Sequence, residues 1–250
     1  MKRASRLRVP LVWLALLGVW ELVGRAGLLA DLYATTPSAV AETLYTLFAS
    51  GTIWPHLQAT FSAALLGLVF GLVVGAALGF AAALVPFLRE LLEPVMLFLN
   101  AIPRVVLAPL FIIWFGIGVG SKVALSLVLV AVLIFFAVYN GFREVDRRLV
   151  ERVTTLGGGR GVLLREVYGP SVASWVMSNL KVALGFAFTG AVVGEFVAAS
   201  RGLGYLMTFA LSTYNTAQVV ALVLLIGLFV LLLFYVAGRL EARWLRWRHP

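Results

Sequence analysis

Residues 57–88 read LQATFSAALLGLVFGLVVGAALGFAAALVPFL and contain no charged side chain. A helix needs about 20 consecutive apolar residues to cross a hydrocarbon core roughly 30 Å thick. Because lipid offers no hydrogen-bond partner to backbone groups, an uncharged run of this length favours a helix, which satisfies them internally. The stretch therefore predicts a membrane-spanning helix, and apolar runs of similar length are expected to mark the other spans.

The composition of the whole chain is typical of a membrane protein. Of its 250 residues, 62% are hydrophobic and 12% are charged, whereas a soluble domain carries about 25% charged residues. The mean hydropathy is +1.02. Most of the outer surface is therefore expected to face lipid, and a chain of this length leaves no room for an additional soluble catalytic domain.

Apolar runs divide the chain into about six spans. We expect an all-α, polytopic membrane protein that forms a single transmembrane domain over residues 1–250. The expected spans are residues 10–28, 59–85, 94–115, 122–142, 170–195 and 217–238. The start of the chain has the basic and apolar parts of a signal peptide, but Trp20, Glu21 and Arg25 stand where a cleavage site would follow, so an uncleaved first span is preferred.

Lys and Arg are distributed unevenly between the two sides. If the N-terminus is cytoplasmic, 15 of the 20 Lys and Arg lie in inside segments, 3 in outside segments (Arg25, Lys122 and Arg201) and 2 within spans. This bias predicts that both termini are cytoplasmic in a cytoplasmic (inner) membrane protein. It also accounts for the net charge of +9 without nucleic-acid binding, which is not expected.

The second expected span contains a regular series of glycines. Glycines recur at every fourth position of the second span, at Gly67, Gly71, Gly75 and Gly79. This spacing leaves a smooth helix face and predicts close packing against another helix, with a direct role in transport as the less favoured alternative.

The third span contains Pro94, Pro103 and Pro109, so either a broken helix that lines a cavity or a static kink is expected.

The loop between the fourth and fifth spans is too long and too charged for a simple connection. Residues 143–169 read REVDRRLVERVTTLGGGRGVLLREVYG. Apolar residues with helical spacing stand at Val145, Leu149, Val153 and Leu156. They predict an amphipathic helix over residues 144–156, a stop at the three following glycines and a second short helix over residues 161–167. The loop could lie on the membrane surface, but a docking surface for a soluble partner is favoured.

Within this loop, Glu151, Gly157, Val167 and Pro170 follow one another at a spacing that resembles a known motif. Binding-protein-dependent ABC transporter permeases have Glu-Ala-Ala, three residues, Gly, nine residues and Ile-x-Leu-Pro in their cytoplasmic coupling loop. The four residues fall on the Glu, Gly, Ile and Pro of that pattern. The departures are Arg152 and Val153 at the two alanines and Gly169 at the leucine.

Two further segments extend the resemblance to the nitrate/sulfonate/taurine branch of these permeases. They are FLNAIPRVVLAPLFIIWFGIGVGSKVAL (residues 98–125) and GEFVAASRGLGYLM (residues 194–207). The resemblance implies a permease dimer, expected to contain a second copy of this chain, with two ATPase subunits on its loops and an extracytoplasmic solute-binding protein. ATP and magnesium would belong to the ATPase, and this chain would bind no cofactor. The residues expected to couple to the ATPase are Glu151, Arg152, Leu156, Gly157, Val167 and Pro170.

No catalytic or metal site is expected in the chain. A phosphate-binding loop ends in Gly-Lys-Ser/Thr, whereas residues 157–161 end in Arg160 and Gly161. We therefore expect no enzyme activity here, with ATP hydrolysis in a partner subunit that drives import of a small solute by alternating access. The alternative is an ion-coupled secondary transporter or a channel, although such carriers usually need carboxylates inside the membrane, and Glu21 and Glu195 lie at span ends.

Four residues are expected along the translocation path: Asn100, Arg104, Lys181 and Glu195. Arg104 and Lys181 lie inside spans, where a cation usually faces a partner or a water-filled path. They would favour an anion such as nitrate, a sulfonate or taurine, although each could instead reach the interface or bond to a backbone carbonyl. Glu195 is expected to cap a helix end or to meet the binding protein. The sequence itself does not name the solute.

Overall fold

The computed structural model of the chain describes residues 2–26 and 35–244, with the side chains of residues 11–26, 35–103 and 105–239. All regular structure in these residues is helical, which confirms the all-α expectation. The helices are α1 (Lys2–Arg25), α2 (Pro37–Ala49), α3 (Ile53–Leu84), α4 (Pro86–Ala101), α5 (Arg104–Phe115), α6 (Val119–Arg143), α7 (Arg147–Thr155), α8 (Arg160–Leu163), α9 (Gly169–Val197), α10 (Leu203–Ser212) and α11 (Thr216–Trp244), and a π-helical turn (Leu164–Tyr168) joins α8 to α9.

Four helical segments within the described residues are long and apolar enough to cross a membrane. They are Ile53–Leu84, Val119–Arg143, Arg160–Val197 and Thr216–Arg239, and the bent pair α4–α5 makes a fifth if it counts as one span. The expected number of six is therefore not confirmed. The first expected span, residues 10–28, overlaps α1 but ends outside the described residues.

The third expected span, residues 94–115, is a broken pair of helices rather than one helix. α4 and α5 differ in direction by 109°. Between them, Ile102 (φ −69°, ψ 129°) and Pro103 (φ −58°, ψ 126°) have non-helical backbone angles. Because proline lacks an N–H and restricts the residue before it, the chain leaves the helix at this point. Pro94 and Pro109 lie inside α4 and α5 without ending them.

α3 and α6 approach each other most closely along the glycine stripe of α3. A Cβ atom placed on Gly67 would lie 2.2 Å from Ser126 Cβ, and one on Gly75 would lie 2.5 Å from Ala131 O. Gly71 and Gly79 face α6 in the same way, against Val130 and Val138. Any side chain at these positions would overlap α6, so glycine lets the two backbones pack directly together.

Ser126 marks the junction where α9 joins this pair. Its side chain is fully buried, and its Oγ donates a hydrogen bond to Ala187 O of α9 over 2.8 Å. A Cβ on Gly190 of α9 would lie 2.7 Å from Ser126 Cα. α3, α6 and α9 therefore form the tightly packed centre of the chain, and their ends position the residues described next.

Candidate functional site

The start of α10 is held by side chains from two other helices. A helix leaves its first N–H groups without partners inside the helix. Here three consecutive groups donate outward: Gly202 N to His56 Nδ1 at 3.1 Å, Leu203 N to Thr60 Oγ1 at 2.9 Å and Gly204 N to Glu195 Oε2 at 3.0 Å. His56 and Thr60 stand four residues apart and so lie on one face of α3. We call His56, Thr60 and Glu195 the capping cluster.

Glu195 is the acid of the capping cluster and is only 3% exposed. Its Oε2 atom accepts hydrogen bonds from Thr60 Oγ1 at 2.8 Å and from Gly204 N at 3.0 Å. A helix N-terminus carries a partial positive charge, which stabilises a carboxyl group placed there. Glu195 therefore caps α10, the helix that follows its own.

Two glycines allow α10 to begin this close to α9. Gly202 has φ +126°, and a Cβ on it would lie 2.1 Å from Glu195 Cδ. A Cβ on Gly204 would lie 2.5 Å from Val192 O. Glycine is thus required at residues 202 and 204 by the close approach of α10 to α9.

Lys122, which the sequence predicts in an outside segment, is a buried cation. It lies in the first turn of α6 and is 3% exposed. Its Nζ donates to Ile117 O, to Ala198 O at 2.6 Å and to Ser121 Oγ at 3.3 Å. Lys122 thereby joins the α5–α6 connection to the end of α9. Its isolation between uncharged residues 105–121 and 123–142 was the sequence signal that could have identified it.

A polar cavity of about 330 Å³ lies beside the capping cluster. α3, α6, α9 and the residues next to them contribute its walls. Its polar lining consists of Gln58, Ser62, Lys122, Glu195, Ser200 and Arg201. Two cations and one acid therefore share the cavity, and none of them takes part in either ion pair of the described residues.

The four residues expected along the translocation path do not meet in one place. Glu195 lines the polar cavity. Asn100 lies near Val128 of α6, in a separate and much smaller cavity. Lys181 is about 21 Å from Glu195 along α9, at the rise of a helix, and its Cε atom would be 3.1 Å from a Cβ on Gly238 of α11. Arg104 begins α5, but its side chain lies outside the described residues.

The loop of residues 143–169 contains the two helices that its pattern predicts, with shifted ends. The first is α7, which begins after Asp146, whose side chain accepts a hydrogen bond from Arg148 N at 2.9 Å. It ends at Thr155, and Gly157 (φ +83°) follows two residues later, where Gly157 N donates to Thr154 O and Gly158 N donates to Val153 O. This pair of bonds is typical of a helix that glycine terminates. The second helix, expected over residues 161–167, is instead α8 followed by the π-helical turn.

Four of the six predicted coupling residues are exposed on this loop: Glu151, Arg152, Leu156 and Gly157. Leu156 is 82% exposed, although it is apolar. Val167 and Pro170 are half-buried where the loop joins α9. The loop therefore presents charged and apolar side chains together, next to the half-buried residues that join it to α9.

The two ends of the loop are fastened to each other. Ser171 Oγ donates to Gly141 O over 2.7 Å, and a Cβ on Gly141 would lie 2.9 Å from Val172 Cα. The rings of Phe142 and Tyr168 stack with their centroids 4.9 Å apart. A displacement of the loop would therefore move the ends of α6 and α9 together.

Comparison with known proteins identifies a family. The model of the "binding-protein-dependent transport system inner membrane component" family matches residues 67–246. The riboflavin transport system permease protein RibX of Chloroflexus aurantiacus is 34% identical over 96% of this chain and 90% of its own length. The taurine transport system permease protein TauC of Escherichia coli is 29% identical over 93% and 86%, and the putative aliphatic sulfonates transport permease protein SsuC of Escherichia coli is 32% identical over 93% and 88%.

Solved structures with low sequence identity share the fold. The MetNI methionine ABC transporter in an inward facing conformation matches with a TM-score of 0.60 and 22% identity, over 76% of this chain and 93% of that chain. An amino acid ABC transporter with histidines matches with a TM-score of 0.66 and 15% identity, over 80% and 98%. These likenesses concern the arrangement of the helices alone.

Proposed function

The chain belongs to the binding-protein-dependent transport system inner membrane component family, and from this membership we propose that it is the permease subunit of an ATP-driven ABC importer. It moves a small solute across the cytoplasmic membrane by alternating access, with both termini in the cytoplasm. A second copy of the chain completes the path, and an extracytoplasmic binding protein delivers the solute. The chain itself is not an enzyme and holds no cofactor.

The observation that carries this proposal is the exposed apolar surface on the charged loop of residues 143–169. Leu149, Leu156 and Val162 are 49%, 82% and 46% exposed there, outside the bundle of long helices. Apolar side chains left open on a polar projection favour a protein partner. We propose that the partner is an ATPase subunit, one on each permease copy, which binds ATP and magnesium. Burial of the same side chains in the membrane surface is the competing explanation.

α6 and α9 are suited to carry motion from this loop to the polar cavity. Gly141 and Ser171 fasten the two helices at the loop, and a Cβ placed on Gly194 of α9 would lie 3.1 Å from Lys122 Cγ of α6. α6 spans about 37 Å at the rise of a helix. Closure of two ATPase subunits would therefore move two packed helices as one unit and change the cavity at their far end.

The proposed solute carries an anionic group, as nitrate, a sulfonate or taurine does. Two cations, Lys122 and Arg201, line the polar cavity with one acid, Glu195, so its charge is positive when all three are ionised. A positive cavity attracts an anionic solute. Relatives named for taurine and for aliphatic sulfonates are in keeping with this charge.

Reconstitution with the ATPase subunits and the binding protein tests the proposal. We expect solute uptake into proteoliposomes to require ATP, and Glu151→Ala to lower uptake more than ATP hydrolysis because the two are uncoupled. Glu42→Ala, a change of another exposed acid on α2, serves as the matched control. Uptake that an ion gradient drives without ATP would favour the secondary transporter instead.

A further inference from the structure

We propose that the polar cavity binds a zwitterionic solute, with its ammonium group on Glu195 Oε1 and its anionic group on Arg201. This inference rests on the proposed function and narrows the class of solute. It assigns separate atoms of the cavity to the two charged ends of the ligand.

Glu195 offers one carboxyl oxygen to the cavity. Its side chain is 3% exposed, and Oε2 already accepts hydrogen bonds from Thr60 and Gly204. Glu195 also lines the cavity, and we assign Oε1, which accepts neither of these two hydrogen bonds, to the ligand. A carboxylate oxygen accepts hydrogen bonds and prefers a charged donor, so an ammonium group is the chemistry that fits it.

Lys122 is not free to bind the anionic end. A lysine ammonium has three donors, and those of Lys122 have three acceptors in Ile117 O, Ala198 O and Ser121 Oγ. Its charge contributes to the electrostatic field of the cavity, but its three N–H donors already have acceptors. The anionic end of a solute therefore needs a different donor.

Arg201 supplies that donor. Arg201 lines the same cavity, and it takes part in neither of the two ion pairs found among the described residues. A guanidinium group can give two parallel hydrogen bonds to a carboxylate or a similar oxyanion. A ligand with both charges would match Arg201 and Glu195 at once, whereas a simple anion would bring no donor to Glu195 Oε1.

The size and remaining walls of the cavity suit a small organic ion. Its volume of about 330 Å³ lies at the lower end of ligand pockets, which measure about 300–1,000 Å³. Gln58, Ser62 and Ser200 add neutral hydrogen-bonding groups to the lining. The charged pair would thus fix the orientation of the solute, and the neutral groups would fill the rest of its hydrogen bonds.

Taurine and ethanesulfonate form the deciding pair of probes, because they share a sulfonate and differ in the ammonium group. We expect the assembled transporter in nanodiscs to bind labelled taurine at least about tenfold more tightly than ethanesulfonate, since a hydrogen bond to a charged group has that effect. Glu195→Gln should remove the preference. Its amide oxygen can still accept from Thr60 and Gly204, so the fold is retained, and a melting curve verifies this.

Glu42→Gln is the matched control, because it makes the same change on α2 and should keep the preference for taurine. Equal binding of the two probes, no binding of either at millimolar concentration, or a preference that survives Glu195→Gln would overturn the inference. Glu195-dependent taurine binding in a complex without ATP-driven uptake would support the cavity and reject the importer, so the two proposals fail separately.

Discussion

Thr60 Oγ1 of α3 lies 2.8 Å from Glu195 Oε2 of α9, and the same hydroxyl oxygen accepts the Leu203 N–H over 2.9 Å. Thr60 is fully buried. One hydroxyl group thereby donates to one helix and accepts from the start of another, so α3, α9 and α10 meet at a single side chain. Replacing Thr60 therefore measures how much this junction contributes to the free energy of unfolding.

Thr60→Val should destabilise the folded protein by about 1–3 kcal/mol, because it leaves the buried Leu203 N–H without its acceptor. Valine has nearly the same shape, so packing is little changed. Thermal unfolding in detergent gives the measurement. Thr189→Val is the control, since Thr189 is exposed and bonds only to Gly185 O in its own helix; equal melting temperatures for the two variants would contradict the role of Thr60.

Gly202→Ala should be more damaging than a typical surface change. Its φ of +126° is unfavourable for any residue with a Cβ, and that Cβ would overlap the Glu195 carboxyl. Backbone strain and overpacking each cost about 1–3 kcal/mol, so we expect a marked loss of folded protein on size-exclusion chromatography. Gly118→Ala has open space around it and should behave as the wild type; a well-folded Gly202→Ala variant would refute the close approach.

Gly75→Ala should weaken the packing of α3 against α6 by about 1–3 kcal/mol, because its Cβ would lie 2.5 Å from Ala131 O. The melting temperature of the purified protein reports this loss. Gly227→Ala in α11 introduces the same methyl group where no atom lies within 4 Å. The packing account would be wrong if the two substitutions had the same effect.

Arg104→Met tests the predicted translocation path. If Arg104 attracts the anionic solute, its replacement lowers uptake in the reconstituted system and leaves the amount of assembled complex unchanged. Arg89→Met, at an exposed position of α4, controls for the loss of a positive charge. Unchanged uptake would remove Arg104 from the path.

Features that depend on local chain chemistry could be predicted from the sequence. Long apolar runs indicated α3, α6, α9 and α11, because the hydrophobicity of a span follows directly from its composition. The glycine stop after α7 also follows from neighbouring residues, since its closing bonds involve residues 153–158 only. No comparable pattern in the sequence indicated the π-helical turn before α9.

Features that depend on distant residues could not be predicted. His56 and Gly202 are 146 positions apart, and their contact exists only after α3, α9 and α10 have packed. Lys122 stands alone between two long uncharged runs, which marks it as unusual but does not show what would surround it. Its burial depends on carbonyl oxygens from two connections, Ile117 O and Ala198 O, and the sequence does not indicate that these meet.

The most direct test of the central claim is to purify the tagged protein from its native membrane in mild detergent and identify its partners. The account predicts an ATPase subunit with phosphate-binding loops at equal stoichiometry. It also predicts that Leu156→Glu, at an exposed apolar position of the loop, releases that subunit. Tyr45→Glu, at an exposed position of α2, places the same charge away from the loop and from the membrane-spanning helices, and should keep the subunit. Absence of any ATPase, under conditions that keep a control ABC transporter assembled, would contradict the account.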